Sequence, residues 1–157
     1  MRIRFAMEKD IPAILAMCEA VTAESRFHRY GINKEKLLVV ITSMMSTQGK
    51  VCILLAERTD GNIAGLLAGY VTDFFFCDGI VAQDRLFYVR PDYRGSSAAV
   101  KLLIAFRRWA ENHQANELSI NMSVGIDMGR FNKLMTHMGF GCCGSNFSLA
   151  LAGQHHQ

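Results

Sequence analysis

Apolar and polar residues alternate at the start of the chain. Arg2-Ile3-Arg4-Phe5-Ala6 has the two-residue period of a strand. The period then lengthens. Ile11, Ile14, Leu15, Cys18 and Val21 recur three and four apart between about Glu8 and Ser25, which makes one buried stripe on a helix, with Pro12 tolerated in its first turn. A polar, aromatic stretch from Ser25 to Gly31 interrupts the pattern. Asn33 predicts the N-cap of a second helix that runs to about Gln48 and stops at Gly49. Val51–Arg58 and Ile63–Thr72 predict strands joined by the turn Asp60-Gly61-Asn62, hence a hairpin. Asp84–Arg90 predicts a strand halted by Pro91. Ser96 to about His113 predicts a helix with Ala99, Leu102, Leu103, Phe106, Trp109 and Ala110 on one face. A strand over Leu118–Met122 and a helix over Asp127–Met138, closed by Gly139, follow. Phe140–Leu151 predicts a strand, a glycine-rich interruption and a further strand, and Gly153–Gln157 a flexible tail.

Helices interleaved with strands that include a hairpin imply an α/β fold, with a mixed sheet covered by helices. With no repeat and no linker, residues 1–152 are expected to form a single domain. Between the hairpin and the strand at Asp84 lie Phe74-Phe75-Phe76. Three consecutive rings are usually core; the sharper reading is a loop that exposes one as a substrate wall.

Composition removes several classes. Half the residues are hydrophobic and a fifth charged, which excludes a disordered chain. The apolar run Ile63–Val71 is half a membrane span, and the N-terminus has no signal-peptide core, so a cytoplasmic protein is expected. The five cysteines show neither disulfide-framework nor metal-ligand spacing, and no metal is expected. Net charge is +3. It concentrates between Arg85 and Lys133, where eight Lys/Arg face four acids. That favours an anionic partner, yet these cations are scattered over strand, turn and helix with no nucleic-acid recognition module.

One segment carries chemistry: Tyr88-Val89-Arg90-Pro91-Asp92-Tyr93-Arg94-Gly95-Ser96-Ser97-Ala98-Ala99. A strand ends at proline, a tight turn holds Arg and Gly, and two serines open a helix with small side chains. A helix N-terminus offers unpaired N–H groups and the positive end of the peptide dipole, small residues let an anion approach, and Arg94 adds a charge-assisted hydrogen bond. The plainer reading is a serine N-cap after a glycine turn. The segment resembles motif A of the GNAT superfamily, the acyl-CoA-dependent N-acyltransferases, V-x-P-x-x-[Q/R]-x-x-G-x-[G/A]. Val89, Pro91, Arg94 and Ala99 match, and Ser97 stands where glycine is usual. The likeness extends to Gly139-Phe140, and RGSSAAVKLL…WA is similar to small acetyltransferases of phages and prophages.

The resemblance implies a mostly antiparallel mixed sheet of about six to seven strands flanked by about four helices. It implies that the amides of Gly95, Ser96, Ser97, Ala98 and Ala99 bind the pyrophosphate of acetyl-CoA, with Arg94 beside them. The main chain of Phe87, Tyr88 and Val89 would pair with the pantetheine arm like an added strand. It implies acetyl transfer to an amine by direct attack, the acceptor being a small molecule, peptide or protein; a homodimer stays open. The tyrosine that many members use as general acid falls on Met135, which cannot donate a proton. Tyr88, Tyr93, His137, Cys142 or water are the substitutes. The helix asparagine common in the family falls on Gly129, with Asn132 displaced by nearly one turn. The carboxylate base of some members falls on Gln83, with Asp84 adjacent, on opposite faces of a strand unless a bulge intervenes. Asp84 and Tyr88 are therefore the catalytic candidates. The rival expectation is a CoA-binding or protein-interaction module of the same fold with weak chemistry.

Overall fold

The computed structural model describes residues 1–46, 49–121 and 127–153. It divides into two compact units, Met1–Ile126 and Asp127–Gln157.

The first unit runs β1 (Arg2–Phe5), α1 (Ile11–Glu24), α2 (Lys34–Ser46), β2 (Val51–Glu57), β3 (Ile63–Asp73), β4 (Ile80–Val89), α3 (Ala98–Asn112) and β5 (Glu117–Ser119). The strands form one sheet in the order β1-β2-β3-β4-β5. The first three pairings are antiparallel and β4–β5 is parallel. β2 and β3 are buried on both faces, which explains their nearly continuous apolar sequences. On one face Ile53, Leu55, Leu66, Ala68 and Tyr88 pack with Ile14, Met17 and Val21 of α1 and Ile41 of α2. Alternation sends Leu54, Ala56 and Leu67 to the other face. α3 covers that face: a Cβ on Gly69 would stand 2.5 Å from the Phe106 ring, so glycine is required for α3 to approach. Leu102, Leu103 and Phe106 are fully buried, each contributing about 1.5–3 kcal/mol, and they fix the start of α3 beside the end of β4.

In the second unit α4 spans Met128–His137. Asp127 caps it by accepting the Arg130 N–H at 3.2 Å. Gly139, at φ +88°, ends it in the left-handed conformation that glycine tolerates, and the Phe140 N–H returns to the Met135 carbonyl at 2.9 Å.

The hairpin, the Asn33 cap and the helices stand where the sequence puts them, the Lys36 N–H donating to Asn33 Oδ1 at 3.0 Å. Several features differ. The described residues form five strands rather than six to seven. Phe140–Gly153 has strand patterning but belongs to none of the five strands, and a strand exists only as part of a ladder. β4 begins at Ile80, because Ile80–Gln83 pair with β3 and Val81–Gln83 also with β5. Phe74–Phe76 lie in the connecting turn, with Phe75 and Phe76 exposed. α3 begins at Ala98, two residues after Ser96. Gln48, the end of the strand predicted to reach Met122 and the tail from residue 154 lie outside the described residues. No helix among the described residues is long and apolar enough to cross a membrane.

Candidate active site

β4 loses its β5 partner after Gln83 among the described residues. On its other side it stays paired with β3 through Val89. The Arg90 N–H donates to the Ala64 carbonyl at 2.8 Å. Backbone groups along an antiparallel strand face alternate neighbours, so Tyr88 spends its main-chain bonds on its register partner Leu66. Phe87 and Val89 then direct theirs to the open edge. Of the three residues expected to pair with an extended ligand, two present main-chain groups there and Tyr88 does not.

Beyond Val89 the turn is set by Pro91 and by Gly95 at φ +91°. Its bonds run from Arg94 N–H to Pro91 O and from Ser96 N–H to Tyr93 O. The first bond of α3 runs from Lys101 N–H to Ser97 O at 3.0 Å. Ala99 and Val100, in the first turn, therefore have no helical acceptor for their N–H groups. Ser96 Oγ accepts the Ala98 N–H at 3.3 Å, and Ser97 makes no side-chain cap. Gly95, Ser96 and Ser97 are exposed and Ala98 is buried. This is an accessible helix N-terminus whose amides are only partly satisfied, suited to an anion.

Arg94 behaves differently from the expectation of a free phosphate ligand. Its Nε donates to Val89 O at 2.9 Å, and its fork grips Glu24 with contacts of 2.5 and 3.2 Å. It thereby ties the turn to the last residue of α1. Sequence reasoning missed Glu24; its one signal is an acid in the last turn of a helix, where the dipole disfavours it. Arg94 and its hydrogen bond hold the Glu24 carboxyl below its usual range despite the opposing effect of burial. The Arg94 guanidinium also lies 5.5 Å from the Tyr88 ring centre. Burial, and then the nearby Glu24 carboxylate, push the Tyr88 phenol up to about 12. Its buried hydroxyl has no hydrogen bond of good geometry.

Asp84 sits where β4 and β5 part. The Asn121 N–H donates to Asp84 Oδ1 at 2.8 Å. Burial pushes this carboxyl up to about 6, against the lowering effect of that bond. A bulge lies directly after it: Ala68 opposes Leu86 and Gly69 opposes Asp84, leaving Arg85 unpaired. The bulge reverses the parity of the strand. Asp84 shares the α3 face with Gly69, whereas Tyr88 shares the α1 face with Leu66. Gln83 accepts the Tyr70 hydroxyl at 2.6 Å, which commits it to a structural bond.

Asn132 and Met135 lie on α4, in the second unit. Tyr93 packs under Arg58, 4.8 Å from guanidinium to ring centre. Burial pushes the Cys18 and Cys52 thiols up to about 11 and about 12, so neither is a ready nucleophile. Among the described residues no group of His, Cys, Asp or Glu could hold a metal.

Comparison with known proteins agrees with this architecture. No curated protein matches the chain. Among solved structures, AAC(6')-Iy in complex with the bisubstrate analogue CoA-S-monomethyl-acetylneamine aligns with a TM-score of 0.76 at 16% identity, covering 97% of this chain and 98% of that one. The aminoglycoside 6'-N-acetyltransferase AAC(6')-Ih from Acinetobacter baumannii gives 0.73 at 17% identity, covering 98% and 99%. The ribosomal-protein-alanine N-acetyltransferase from Brucella melitensis biovar Abortus 2308 gives 0.70 at 20% identity, covering 96% and 100%. At such identities the likeness shows the fold. The model of the acetyltransferase (GNAT) family matches residues 17–140, most of the chain, and the chain belongs to that family.

Proposed function

We propose that this protein transfers an acetyl group from acetyl-CoA to an amine by direct attack with both substrates bound. The observation that carries the reading is the open edge of β4. It runs from a desolvated carboxylate, Asp84, past the outward main-chain groups of Phe87 and the outward Val89 N–H, to the partly satisfied amides at the start of α3. The fit to coenzyme A is good at both ends: a strand edge for the amide-bearing arm, and a helix terminus with small side chains for the pyrophosphate. Gly95, Ser96, Ser97, Ala98 and Ala99 would hold the phosphates, and Asn132 joins them by resemblance alone. Arg94 would act by bracing the turn through Glu24 and Val89. The thioester supplies the activated acetyl group. Asp84 would take the amine proton. The Val89 N–H would stabilise charge on the carbonyl oxygen. Tyr88, which keeps its proton at neutral pH, would serve the departing thiolate from the other face of the strand.

Aminoglycosides and ribosomal-protein alanine form the acceptor panel, because proteins of this fold carry those substrates in their names. Acetyl-CoA should bind and raise the melting temperature, by mass action on the folded state. An amine from the panel should then release free CoA thiol. Folded protein that shows no binding in calorimetry at millimolar acetyl-CoA would overturn the proposal.

Met135, at the position where many members carry the acid tyrosine, favours a second reading: a CoA-binding module with little chemistry. Normal acetyl-CoA binding without thiol release for any amine would select it. Ser97→Glu tests the cradle in either case. Its carboxylate would repel the pyrophosphate and should weaken acetyl-CoA binding at least tenfold, about 1.4 kcal/mol. Unchanged affinity, with the melting temperature preserved, would place the phosphates elsewhere.

A further inference from the structure

Two arginines of the first unit stand near the open edge of β4 and have no role in the transfer proposed above. Arg85 is the residue that the β4 bulge leaves unpaired, next to Asp84. Its guanidinium stacks 4.8 Å from the centre of the Tyr70 ring. Tyr70 opposes Gln83 and follows Gly69, which faces α3, so Tyr70 and the guanidinium over it stand on the α1 side of the sheet. Arg29 belongs to the loop that follows α1 and stacks 4.9 Å from the centre of the Tyr30 ring. Glu24, the last residue of α1, fixes where this loop starts: it binds Arg94, whose Nε donates to Val89 O. The loop is held in shape. Ser25 is buried, its Oγ accepts the Phe27 N–H at 3.2 Å, and the Tyr30 N–H returns to the Phe27 carbonyl at 2.9 Å.

Within the first unit both arginines are exposed. Stacking engages the flat face of a guanidinium and leaves the N–H groups along its rim in position for a carboxylate. Arg26, over the Phe27 ring at 4.1 Å, adds charge to the loop. Residues 25–33 contain no acid, and Glu24 before them is neutralised by Arg94. Along β3 the next acid after Tyr70 is Asp73, about 10 Å further on, which is a Debye length in ordinary salt. The coenzyme A phosphates do not account for Arg85, which precedes Val89 by about 13 Å of strand.

We infer that the acceptor is an acidic peptide, whose amine reaches the edge at Asp84 while its carboxylates lie along Arg85 and Arg29. The inference rests on the acyltransferase reading above and gives its acceptor a charge. α3 fills one side of the sheet, so the body of an acceptor whose amine sits at the edge lies on the α1 side, where both arginines are. A single carboxylate needs only one of them; two stacked cations on separate elements suit a chain that carries several. A polycation such as an aminoglycoside would meet like charge on the same path.

Two peptide amides with the same N-terminal alanine, one continuing in glutamates and the other in lysines, test this. In calorimetry on the full chain with CoA present, the acidic peptide should bind at least tenfold more tightly, and the margin should shrink in about 0.5 M salt, which screens surface charge. Arg85→Glu and Arg29→Glu should each abolish the preference while acetyl-CoA affinity stays within about twofold. Thiol release is the second readout, with kcat/KM at least tenfold higher for the acidic peptide. Selective binding of that peptide without thiol release would sustain the acidic-peptide site and remove the enzyme reading. Thiol release equal for the two peptides, or faster for the basic one, would overturn the inference and leave the enzyme reading intact. Absence of acidic-peptide binding would overturn it too, as would an Arg29→Glu variant that loses acetyl-CoA affinity with peptide selection unchanged, since the loop would then serve the cofactor.

Discussion

Asp84→Asn should lower kcat for acetyl transfer by about 10²–10⁴-fold while acetyl-CoA affinity stays within a factor of about two. Asparagine nearly matches aspartate in shape, and its Oδ1 can still accept the Asn121 N–H that the carboxylate holds at 2.8 Å. What it loses is the ability to take a proton. The wild-type kcat should itself fall as pH drops below about 6, the value to which burial raises this carboxyl, because the base must be ionised to act. A variant with full activity would move the base elsewhere in the first unit.

The same substitution makes a second prediction of opposite sign. The folded pKa of Asp84, about 6, lies above its ordinary value of 3.8. The folded state therefore binds this proton more tightly than the unfolded state. Its stabilising contribution is complete below pH 3.8 and is lost as pH rises through 6. At neutral pH the buried, ionised carboxylate costs about 3 kcal/mol. Asp84→Asn should remove that cost and raise the melting temperature at pH 7, an exchange of function for stability common at active sites. Chemical unfolding at pH 7 checks it. A less stable variant would make Asp84 a structural acid.

Local patterns carry much of this molecule. The α3 stripe from Leu102 to Ala110 and the Arg94-Gly95-Ser96-Ser97 turn each act within one or two turns of chain, and each stands where the sequence puts it. Asp84 and Tyr88 show where this ends. Four residues apart on a strand, they read as sharing one face. The bulge at Arg85 separates them, and it is visible only once β3 and β4 are in register. Glu24 lies 70 residues from Arg94, and no local spacing announces a contact at that range. The segment from Phe147 to Leu151 is the reverse case. Its alternation is plain in the sequence, but whether alternation becomes a strand depends on a neighbour that the sequence does not specify.

Arg4→Met should destabilise the fold by about 1–3 kcal/mol at pH 7, the usual cost of leaving a largely buried carboxyl, here that of Asp10, without its donor. Arg4 is a hub. Its fork holds Asp10 at 2.7 and 2.9 Å and Glu57 at 3.1 and 3.2 Å, joining β1 to the start of α1 and to the end of β2. The Asp10 carboxyl is only 8% exposed, and the Met7 N–H also bonds to it at 2.8 Å. Without the guanidinium, a buried carboxylate is left with one backbone donor. Methionine replaces the arginine stem, so the packing along β1 survives and the charge alone is removed. The pH dependence separates these contributions. Hydrogen bonds from Arg4 hold the Asp10 carboxyl below its usual range and, with Arg2, lower Glu57 to about 2. Folded values below the unfolded ones mean stability present above about pH 4.5 and lost as pH falls towards 2. The gap between wild type and Arg4→Met should therefore be widest at pH 7 and narrow by pH 3 in urea unfolding. A gap that stayed constant across that range would show that the stem packing, and not the carboxylates, carries the contribution of Arg4.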